Sequence, residues 1–465
     1  MRNIINKEKA SSDLASRLEP PPLFYDKVRH SFWALEKGGG WTSLGEGAAV
    51  DILRLAGFLN TTKGDDLSQV ASELVRVRFE CGVEYAGPLS GYRKGLYDRS
   101  GKKLLVTRSY NLIRPQPGRW PVIATFLRGL LGREQTLIFL FWLKLAYEAL
   151  ADESNRRPGQ AVIFAGPRDG GKSFLQNHII TQVLGGRECR CYRYLSGHTE
   201  FNGDLFEAEH LMVDDDVPTT KYAERMALGT RIKGIVASEP QSCHFKYRDA
   251  FTVTPFWRPT VSVNDSPESL LVLPPIEDSL EDKVILFKTQ TVPLPMPTVT
   301  QEERSAFRLK IQSEIPALLY RITHAKIPAS YAERRFGIAH YHHPEIIQAV
   351  RELSPEEKLL TIIDSVLFTG SLPIDCGELD EAGTAQPWSG TAGELERKLQ
   401  ESPYRREAEQ VLYWPNACGT YLGHLARHHP ERVISRRSNT ARWWTIDPPV
   451  SPETGGQPVS TNPGT

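Results

Sequence analysis

The stretch that decides the fold is AVIFAGPRDGGKSFLQNHI, residues 161–179. Its first five residues are apolar and partly β-branched, which predicts a buried strand. Residues 166–173 fit the pattern GxxxxGK[ST] position for position, and a helical pattern follows until Gly185 and Gly186, a natural helix stop. A strand, a glycine-rich loop and a helix in this order predict a phosphate-binding loop.

The chemistry of phosphate binding explains the residue types in this loop. Glycines let successive backbone N–H groups point at phosphate oxygens, and the helix N-terminus adds a favourable dipole. Lys172 can reach the β- and γ-phosphates of ATP, and the hydroxyl of Ser173 can ligate Mg²⁺. A chance match in a glycine-rich turn is the alternative, but the flanking strand and helix favour a true loop. The predicted nucleotide-binding residues are Gly166, Pro167, Arg168, Asp169, Gly170, Gly171, Lys172 and Ser173.

A second motif is an apolar run, LMV at 211–213, followed by three aspartates. We expect its strand to lie beside the loop strand, so that the first acid holds Mg²⁺ through water and a neighbour polarises the attacking water. Asp214 is the predicted metal acid, Asp215 the predicted base and Asp216 the fallback base. A solvated turn after a core strand is the alternative.

A third apolar run, PTVSV at 259–263, ends in Asn264. An amide at a strand tip beside the γ-phosphate can orient the attacking water, which gives Asn264 a predicted catalytic role. Alone, Asn-Asp after a strand is more often a turn.

The order of these motifs resembles the superfamily 3 helicases of viruses, phages and plasmids, especially the helicase half of phage and poxvirus-type primase-helicases. GPRDGGKS resembles their motif A, HLMVDDD motif B, KGIVASEPQSCHFKYRDAF motif B-prime and RPTVSVND motif C. The resemblance implies an α/β fold: an AAA+-like phosphate-loop ATPase core with a parallel sheet. It also implies a ring, usually a homo-hexamer, with ATP and Mg²⁺ between subunits and single-stranded DNA in a central channel.

The resemblance also assigns roles outside the loop. Residues of a hairpin in motif B-prime would touch the DNA backbone; by position they are His244, Lys246 and Arg248, although a solvated hairpin with ordinary surface charges is the alternative. The family usually has an arginine after motif C that enters the neighbouring subunit's site. Lys283 stands there in this chain, with Arg258 or Arg231 as alternatives. Nothing N-terminal resembles a primase, so a primase or polymerase would be a separate partner.

The C-terminal segment 391–446 is predicted as two helices and two short strands, a layout that resembles a winged helix. Thr391 and Glu394 have the spacing of a capping box. Arg436 and Arg437, in a basic turn between the strands, are the predicted contacts to duplex DNA, although many winged helices bind proteins instead. Of the two tryptophans at 443 and 444, we expect one in the core and one half-exposed.

Composition limits the classes of protein. The 465 residues contain 56 Lys+Arg and 56 Asp+Glu, and a 40% apolar share is that of a globular protein, which excludes collagen and wholesale disorder. Zero net charge argues against a protein that coats nucleic acid, so positive charge must be local. Six scattered cysteines, no signal peptide and no apolar run of about 20 residues predict a soluble cytoplasmic protein without a membrane span.

Three histidines at 340, 342 and 343 could suggest a metal site, but no acid or cysteine spacing around them supports it. A helix that starts at Pro344 is the preferred interpretation. The predicted segments are a flexible lead-in 1–22, a mixed N-terminal domain 23–155, the ATPase core 156–295, a helical segment 296–370, a linker 371–390, the winged-helix-like domain 391–447 and a disordered tail 448–465.

Three functions are consistent with these motifs. An ATP-dependent helicase or translocase, acting in replication of a phage, plasmid or integrated element, is preferred. A nucleotide-controlled DNA-binding switch is the alternative, favoured by Lys283 in place of arginine and by zero net charge. A metabolic kinase is a weak third, because nothing C-terminal suggests a small-substrate lid.

Overall fold

A computed structural model describes most of the chain. The described residues are 22–62, 66–99, 101–214, 222–237, 239–246, 250–276, 278–291, 293–368, 386–437 and 441–449. The chain divides into two compact units, residues 1–347 and 348–465. This division is coarser than the seven predicted segments, whose bounds stay predictions.

The first unit begins with two small sheets. One has the strand order β3-β2-β1-β4 and carries helices α1 and α2, and the other has the order β5-β7-β6. The elements are β1 (Leu23–Asp26), β2 (Ser31–Leu35), β3 (Trp41–Leu44), α1 (Glu46–Leu55), α2 (Gln69–Glu80), β4 (Gly82–Val83), β5 (Tyr85–Gly87), β6 (Gly95–Arg99) and β7 (Lys102–Val106).

A long, largely apolar helix, α3 (Pro121–Ala151), follows the two small sheets. Gly132 interrupts it with φ +70°, a conformation that glycine adopts without a Cβ penalty. Its first turn is capped from another helix, because the buried Glu314 carboxylate accepts from the backbone N–H groups of Val122 and Ile123 at 2.9 and 3.0 Å. Glu314 belongs to α10 (Gln301–Thr323), so a long-range polar contact fixes how these two helices pack.

The central sheet has five parallel strands in the order β14-β8-β13-β10-β9. All residues of β8 and β13 are buried, as expected for a parallel sheet covered on both faces. The strands are β8 (Ala161–Ala165), β9 (Glu188–Arg190), β10 (His210–Asp214), β13 (Arg258–Val263) and β14 (Val284–Lys288). The mixed α/β class with a parallel sheet is therefore confirmed.

The prediction that β10 lies next to the loop strand is wrong. We expected it beside the loop strand β8, but β13 lies between them, paired with β8 on one side and β10 on the other. The pairing depends on long crossover connections, which local sequence patterns do not determine.

The helix after the loop changes its pitch along its length. It runs as α4 (Lys172–Leu175), widens into a π-helix (Gln176–Ile180) and returns to α-helix as α5 (Thr181–Val183). The remaining strands and α-helices of the first unit are α6 (Tyr192–Leu195), α7 (Tyr222–Val236), β11 (Gln241–Cys243), β12 (Phe251–Val253), α8 (Pro267–Leu270), α9 (Asp278–Glu281) and α11 (Pro344–Glu352), within which the boundary at residue 347 falls. Among the described helices, none has the length and apolar character needed to cross a bilayer.

The second unit combines helices with an antiparallel sheet in the order β15-β17-β16. The capping box of Thr391 and Glu394 is present, with both reciprocal hydrogen bonds. Trp444 is 2% exposed in the core and Trp443 is 45% exposed, so the predicted split of the two tryptophans is confirmed. The elements are α12 (Pro355–Leu367), β15 (Trp388–Thr391), α13 (Ala392–Gln400), α14 (Arg405–Val411), α15 (Ala417–His428), β16 (Val433–Arg437) and β17 (Arg442–Ile446). Strand β15 and helix α14 were not predicted.

Candidate nucleotide-binding site

The three sequence motifs meet at the carboxyl edge of the central sheet. Strand β8 runs into the glycine-rich loop (residues 166–173), β10 ends at Asp214, and β13 is followed by Asn264. Because parallel strands end at the same edge, these groups converge. The hydroxyl of Ser173 donates to Oδ1 of Asp214 at 2.7 Å, although their strands are not adjacent.

Two glycines in the loop are required by the geometry. A Cβ at Gly166 would overlap the side-chain and carbonyl oxygens of Thr289, which follows β14. Gly171 has φ +97°, a conformation that is strained for any residue with a side chain. The loop can therefore wrap tightly against β14 and turn directly into α4.

Lys172 is the central cation of the loop and is only 4% exposed. Its ammonium donates to the carbonyl oxygens of Gly166 and Pro167 at 2.8 and 2.6 Å and lies 3.4 Å from Oδ1 of Asn264. A buried ammonium is costly unless oxygen atoms surround it, so this position suits an incoming phosphate oxygen as a further partner.

The donor set beside Lys172 fits a magnesium ion. The Ser173 hydroxyl and the Asp214 carboxylate are hard oxygen ligands of the kind that Mg²⁺ prefers, and they already lie within hydrogen-bond distance. Nη2 of Arg190, at the end of β9, lies 3.9 Å from the other Asp214 oxygen. Asp215 and Asp216 lie outside the described residues.

A buried polar network next to the site stabilises the positions of Ser173 and Asp214. Gln176 donates to the hydroxyl of Thr260 at 2.8 Å, and His210 makes ring hydrogen bonds to Thr181 and Thr260 at 2.7 and 2.8 Å. Full burial lowers the pKa of His210 to about 3, so its ring is neutral at physiological pH. The network ties the helix after the loop to β13 and β10, which explains how Ser173 reaches Asp214 across an intervening strand.

Sequence reasoning missed Gln176, His210 and Arg190. The only signal for Gln176 is a polar residue within an otherwise apolar helix face, and nothing local marks the other two. Oε1 of Gln176 and Oγ of Ser262 are buried without a hydrogen-bond partner in the described residues. Gln176 lies in the π-helical turn and Ser262 in β13.

Lys283 lies away from its own chain's loop. It immediately precedes β14, and its carbonyl accepts from Ala161 at the start of β8, so it is at the opposite edge of the sheet from residues 166–173. Its ammonium donates to Asp282 at 2.6 Å. Within one chain Lys283 therefore does not join the site, and its action on a neighbouring subunit stays a prediction.

The two alternatives to Lys283 differ in exposure. Arg258 is 2% exposed and donates to the carbonyl oxygens of Trp257 and Arg157. Burial, with a contribution from the charge of Arg157, lowers its pKa to about 9. Such a buried guanidinium cannot extend into another subunit. Arg231 lies on α7 over the ring of Tyr194 and pairs with Glu200 at 3.0 Å.

The predicted hairpin is present. Strands β11 and β12 pair antiparallel, and His244 and Lys246 follow β11 with exposed side chains. His244 is anchored, since its backbone N–H donates to Asn202 at 2.7 Å and its ring hydrogen-bonds to Ser242 at 2.9 Å. Arg248 lies outside the described residues.

Three arginines of the second unit, at or next to β16, differ in their surroundings. Arg436 and Arg437 are exposed at the end of β16. Arg432 instead donates twice to the carboxylate of Asp364, at 2.7 and 3.1 Å, and therefore joins β16 to α12. Arg436 and Arg437 are therefore accessible to a ligand, whereas Arg432 is held in an ion pair.

The fold and the site define a mixed α/β protein with a five-stranded parallel sheet and a lysine-bearing glycine loop at its carboxyl edge. A model of a family of unknown function, DUF5906, matches residues 164–276, the part that contains this loop and the hairpin. No curated protein matches the chain significantly.

Among solved structures, the chain is similar to the apo structure of the NrS-1 C-terminal region. Its A form has a TM-score of 0.53 at 12% identity, over 93% of this chain and 97% of that one, and another apo structure of the same region gives the same score and identity over 92% and 96%. The two proteins therefore share a fold along nearly their whole lengths. A structure of JCV helicase has 15% identity over 52% of this chain and 65% of that one, with a TM-score of 0.26, too low to indicate a common fold.

Proposed function

We propose that the protein is an ATP-dependent DNA helicase or translocase of superfamily 3 type. The observation that carries the proposal is the convergence of Lys172, Ser173, Asp214 and Asn264 from three separate motifs at one edge of the sheet. Together these residues supply what phosphoryl transfer requires: a cation for the phosphates, oxygen ligands for a metal, and an amide beside the lysine.

In the proposed mechanism, the backbone N–H groups of residues 166–173 and the Lys172 ammonium hold the phosphates of ATP. Ser173 and Asp214 hold Mg²⁺, which when bound neutralises phosphate charge. Asn264 orients the attacking water, and Asp215 accepts its proton. Lys283 stabilises the transition state from a neighbouring subunit of a hexameric ring, a role that its position at the far edge of its own sheet allows.

The proposed DNA contacts are in two places. The hairpin residues His244, Lys246 and Arg248 contact single-stranded DNA in the central channel. The second unit would act as a winged helix, a proposal supported by the antiparallel pair of β16 and β17, where the exposed Arg436 and Arg437 suit duplex phosphates. We further propose that the protein acts in replication of a phage, plasmid or integrated element.

The experiment combines three assays on the full chain. We expect ATP hydrolysis that single-stranded DNA accelerates, displacement of a strand from a forked duplex, and loss of both when Lys172 is replaced by alanine. Lys326→Ala, an exposed lysine outside the site, is the control. Hydrolysis without any displacement on forks of either polarity would contradict the proposal.

A nucleotide-controlled DNA-binding switch is the second candidate. Lys283, paired with Asp282 and lacking a planar guanidinium, favours slow turnover. The switch predicts that an ATP analogue changes duplex affinity while hydrolysis is slow and no strand is displaced.

A further inference from the structure

The strongest unassigned cluster lies at the outer edge of the central sheet, beyond β14. Side chains of Glu281, His340 and His342 place one ligand atom each within 4.8 Å of one another. Glu281 ends α9, while the histidines come from a segment far along the chain that lies beside β14. The fold therefore brings an acidic residue, Glu281, close to the histidines. The sequence around the histidines could not reveal this, because Glu281 is far away along the chain.

Backbone hydrogen bonds to β14 hold the segment that carries the histidines in place. The N–H of Leu286 donates to the carbonyl of Tyr341 at 2.7 Å, and the N–H of His343 donates to the carbonyl of Leu286 at 2.9 Å. His342 pairs with Leu286 as a parallel bridge, so the segment extends the sheet beyond β14. A ligand set held by sheet hydrogen bonds needs little reorganisation on binding.

The tautomer of His342 also suits metal binding. Its Nε2 lies 3.1 Å from the carbonyl oxygen of Val284. A carbonyl can only accept, so Nε2 carries the proton and the lone pair is on Nδ1. Histidine ligands of metals are commonly oriented in this way, with the second ring nitrogen donating to a backbone carbonyl or carboxylate.

The chemistry of the set selects the ion. Two imidazoles and one carboxylate suit Zn²⁺ and similar divalent transition metals, whereas Mg²⁺ and Ca²⁺ prefer oxygen ligands alone. Bond lengths of about 2.0–2.1 Å correspond to ligand separations of about 3.3 Å in a tetrahedron, so side-chain rotations would close the present spacing. The rings of His340 and His342 have centroids 5.2 Å apart, close enough to converge on one ion.

We propose that Glu281, His340 and His342 bind one Zn²⁺ ion, with water completing the coordination. The ion joins the end of α9 to the histidine segment beside β14 and so restrains the chain just before Lys283. This site is separate from the nucleotide site, and the proposal does not depend on the proposed function.

The test is a titration of chelator-treated full-length protein with Zn²⁺, followed by calorimetry and by thermal unfolding. We expect the wild type to bind one equivalent more than Glu281→Gln and His340→Ala, each of which weakens that site at least 100-fold. His343→Ala, in the same histidine run but outside the cluster, should bind like the wild type. Zn²⁺ should raise the Tm of the wild type by several degrees and leave the Tm of Glu281→Gln unchanged.

Equal stoichiometry in all four proteins would overturn the proposal. X-ray absorption of the wild type loaded with one equivalent provides a readout that does not need a folded variant. Two imidazole nitrogens and oxygen in the first shell are expected, and a sulfur-dominated shell would also overturn the proposal, because it would assign the ion to cysteines.

Discussion

Lys172 is the residue on which the proposed nucleotide site depends most directly. Lys172→Ala should reduce ATP hydrolysis at least 100-fold, because no other described cation lies among the loop carbonyls. The measurement is steady-state hydrolysis at saturating ATP, with circular dichroism to check folding. Lys326→Ala should hydrolyse ATP at the wild-type rate; equal activity of both variants would contradict the role of Lys172.

Asp214 is the residue that should set the requirement for Mg²⁺. Asp214→Asn keeps the shape of the side chain and its hydrogen bond to Ser173 but removes the negative charge. We expect the Mg²⁺ concentration for half-maximal hydrolysis to rise about 10-fold or more, since a carboxylate ligand binds the ion more strongly than an amide. Asp51→Asn, an exposed aspartate on α1 outside the site, is the matched control and should leave it unchanged.

His210 should make the stability of the first unit depend on pH. Burial lowers its pKa to about 3, below the ordinary value of 6.5, so the unfolded chain binds a proton that the folded chain does not. The contribution is therefore complete above about pH 6.5 and is lost as the pH falls towards 3, with a slope of about 1 kcal/mol per pH unit.

Urea unfolding between pH 7 and pH 4.5 measures this slope. His210→Gln should flatten it, because glutamine can hydrogen-bond to the same threonines without titrating. The exposed His324→Gln should behave like the wild type. A slope that is identical in all three proteins would mean that other groups cause it.

At the scale of elements, the hairpin of β11 and β12 is the proposed contact to single-stranded DNA. Lys246→Ala should lower affinity for single-stranded DNA and reduce its salt dependence by about one unit of slope, as expected for one lost phosphate contact. Fluorescence anisotropy over a series of salt concentrations provides the measurement. Lys326→Ala should retain the full slope, and an unchanged slope in Lys246→Ala would remove the hairpin from the DNA path.

Substitutions at and next to β16 should affect either duplex binding or the unfolding free energy, depending on the residue. Arg436→Ala combined with Arg437→Ala should weaken duplex binding and leave the unfolding free energy of the second unit unchanged, because both side chains are exposed. Arg432→Ala should instead lower that free energy by about 1–3 kcal/mol, because it leaves the Asp364 carboxylate without its guanidinium. Anisotropy and urea unfolding measure the two effects. Duplex binding that survives the double substitution would contradict the assignment.

How far the sequence predicts these elements depends on the range of the contacts that determine them. The strand, loop and helix around Lys172 and the capping box at Thr391 are local patterns, and both are found where the sequence indicates them. The position of β13 between β8 and β10 is set by distant crossovers, as is the meeting of Glu281 with His340. The ion pair of Arg432 with Asp364 could not be predicted either, because Asp364 is far away in the sequence.

At the scale of the molecule, zero net charge gains a structural explanation. Part of the positive charge is paired within the fold, as with Arg187 and Glu209 or Arg432 and Asp364. The exposed basic residues of the hairpin and of β16 provide positive charge at these particular places. Such a distribution suits a protein that threads nucleic acid through a channel better than one that coats it.

The most direct test of the central claim compares ATP hydrolysis by the wild-type protein with and without single-stranded DNA, in one buffer at one salt concentration. The helicase proposal predicts slow hydrolysis alone and several-fold faster hydrolysis with DNA, and loss of both rates in Lys172→Ala. Hydrolysis that does not respond to DNA at any concentration, or that persists in Lys172→Ala, would contradict it.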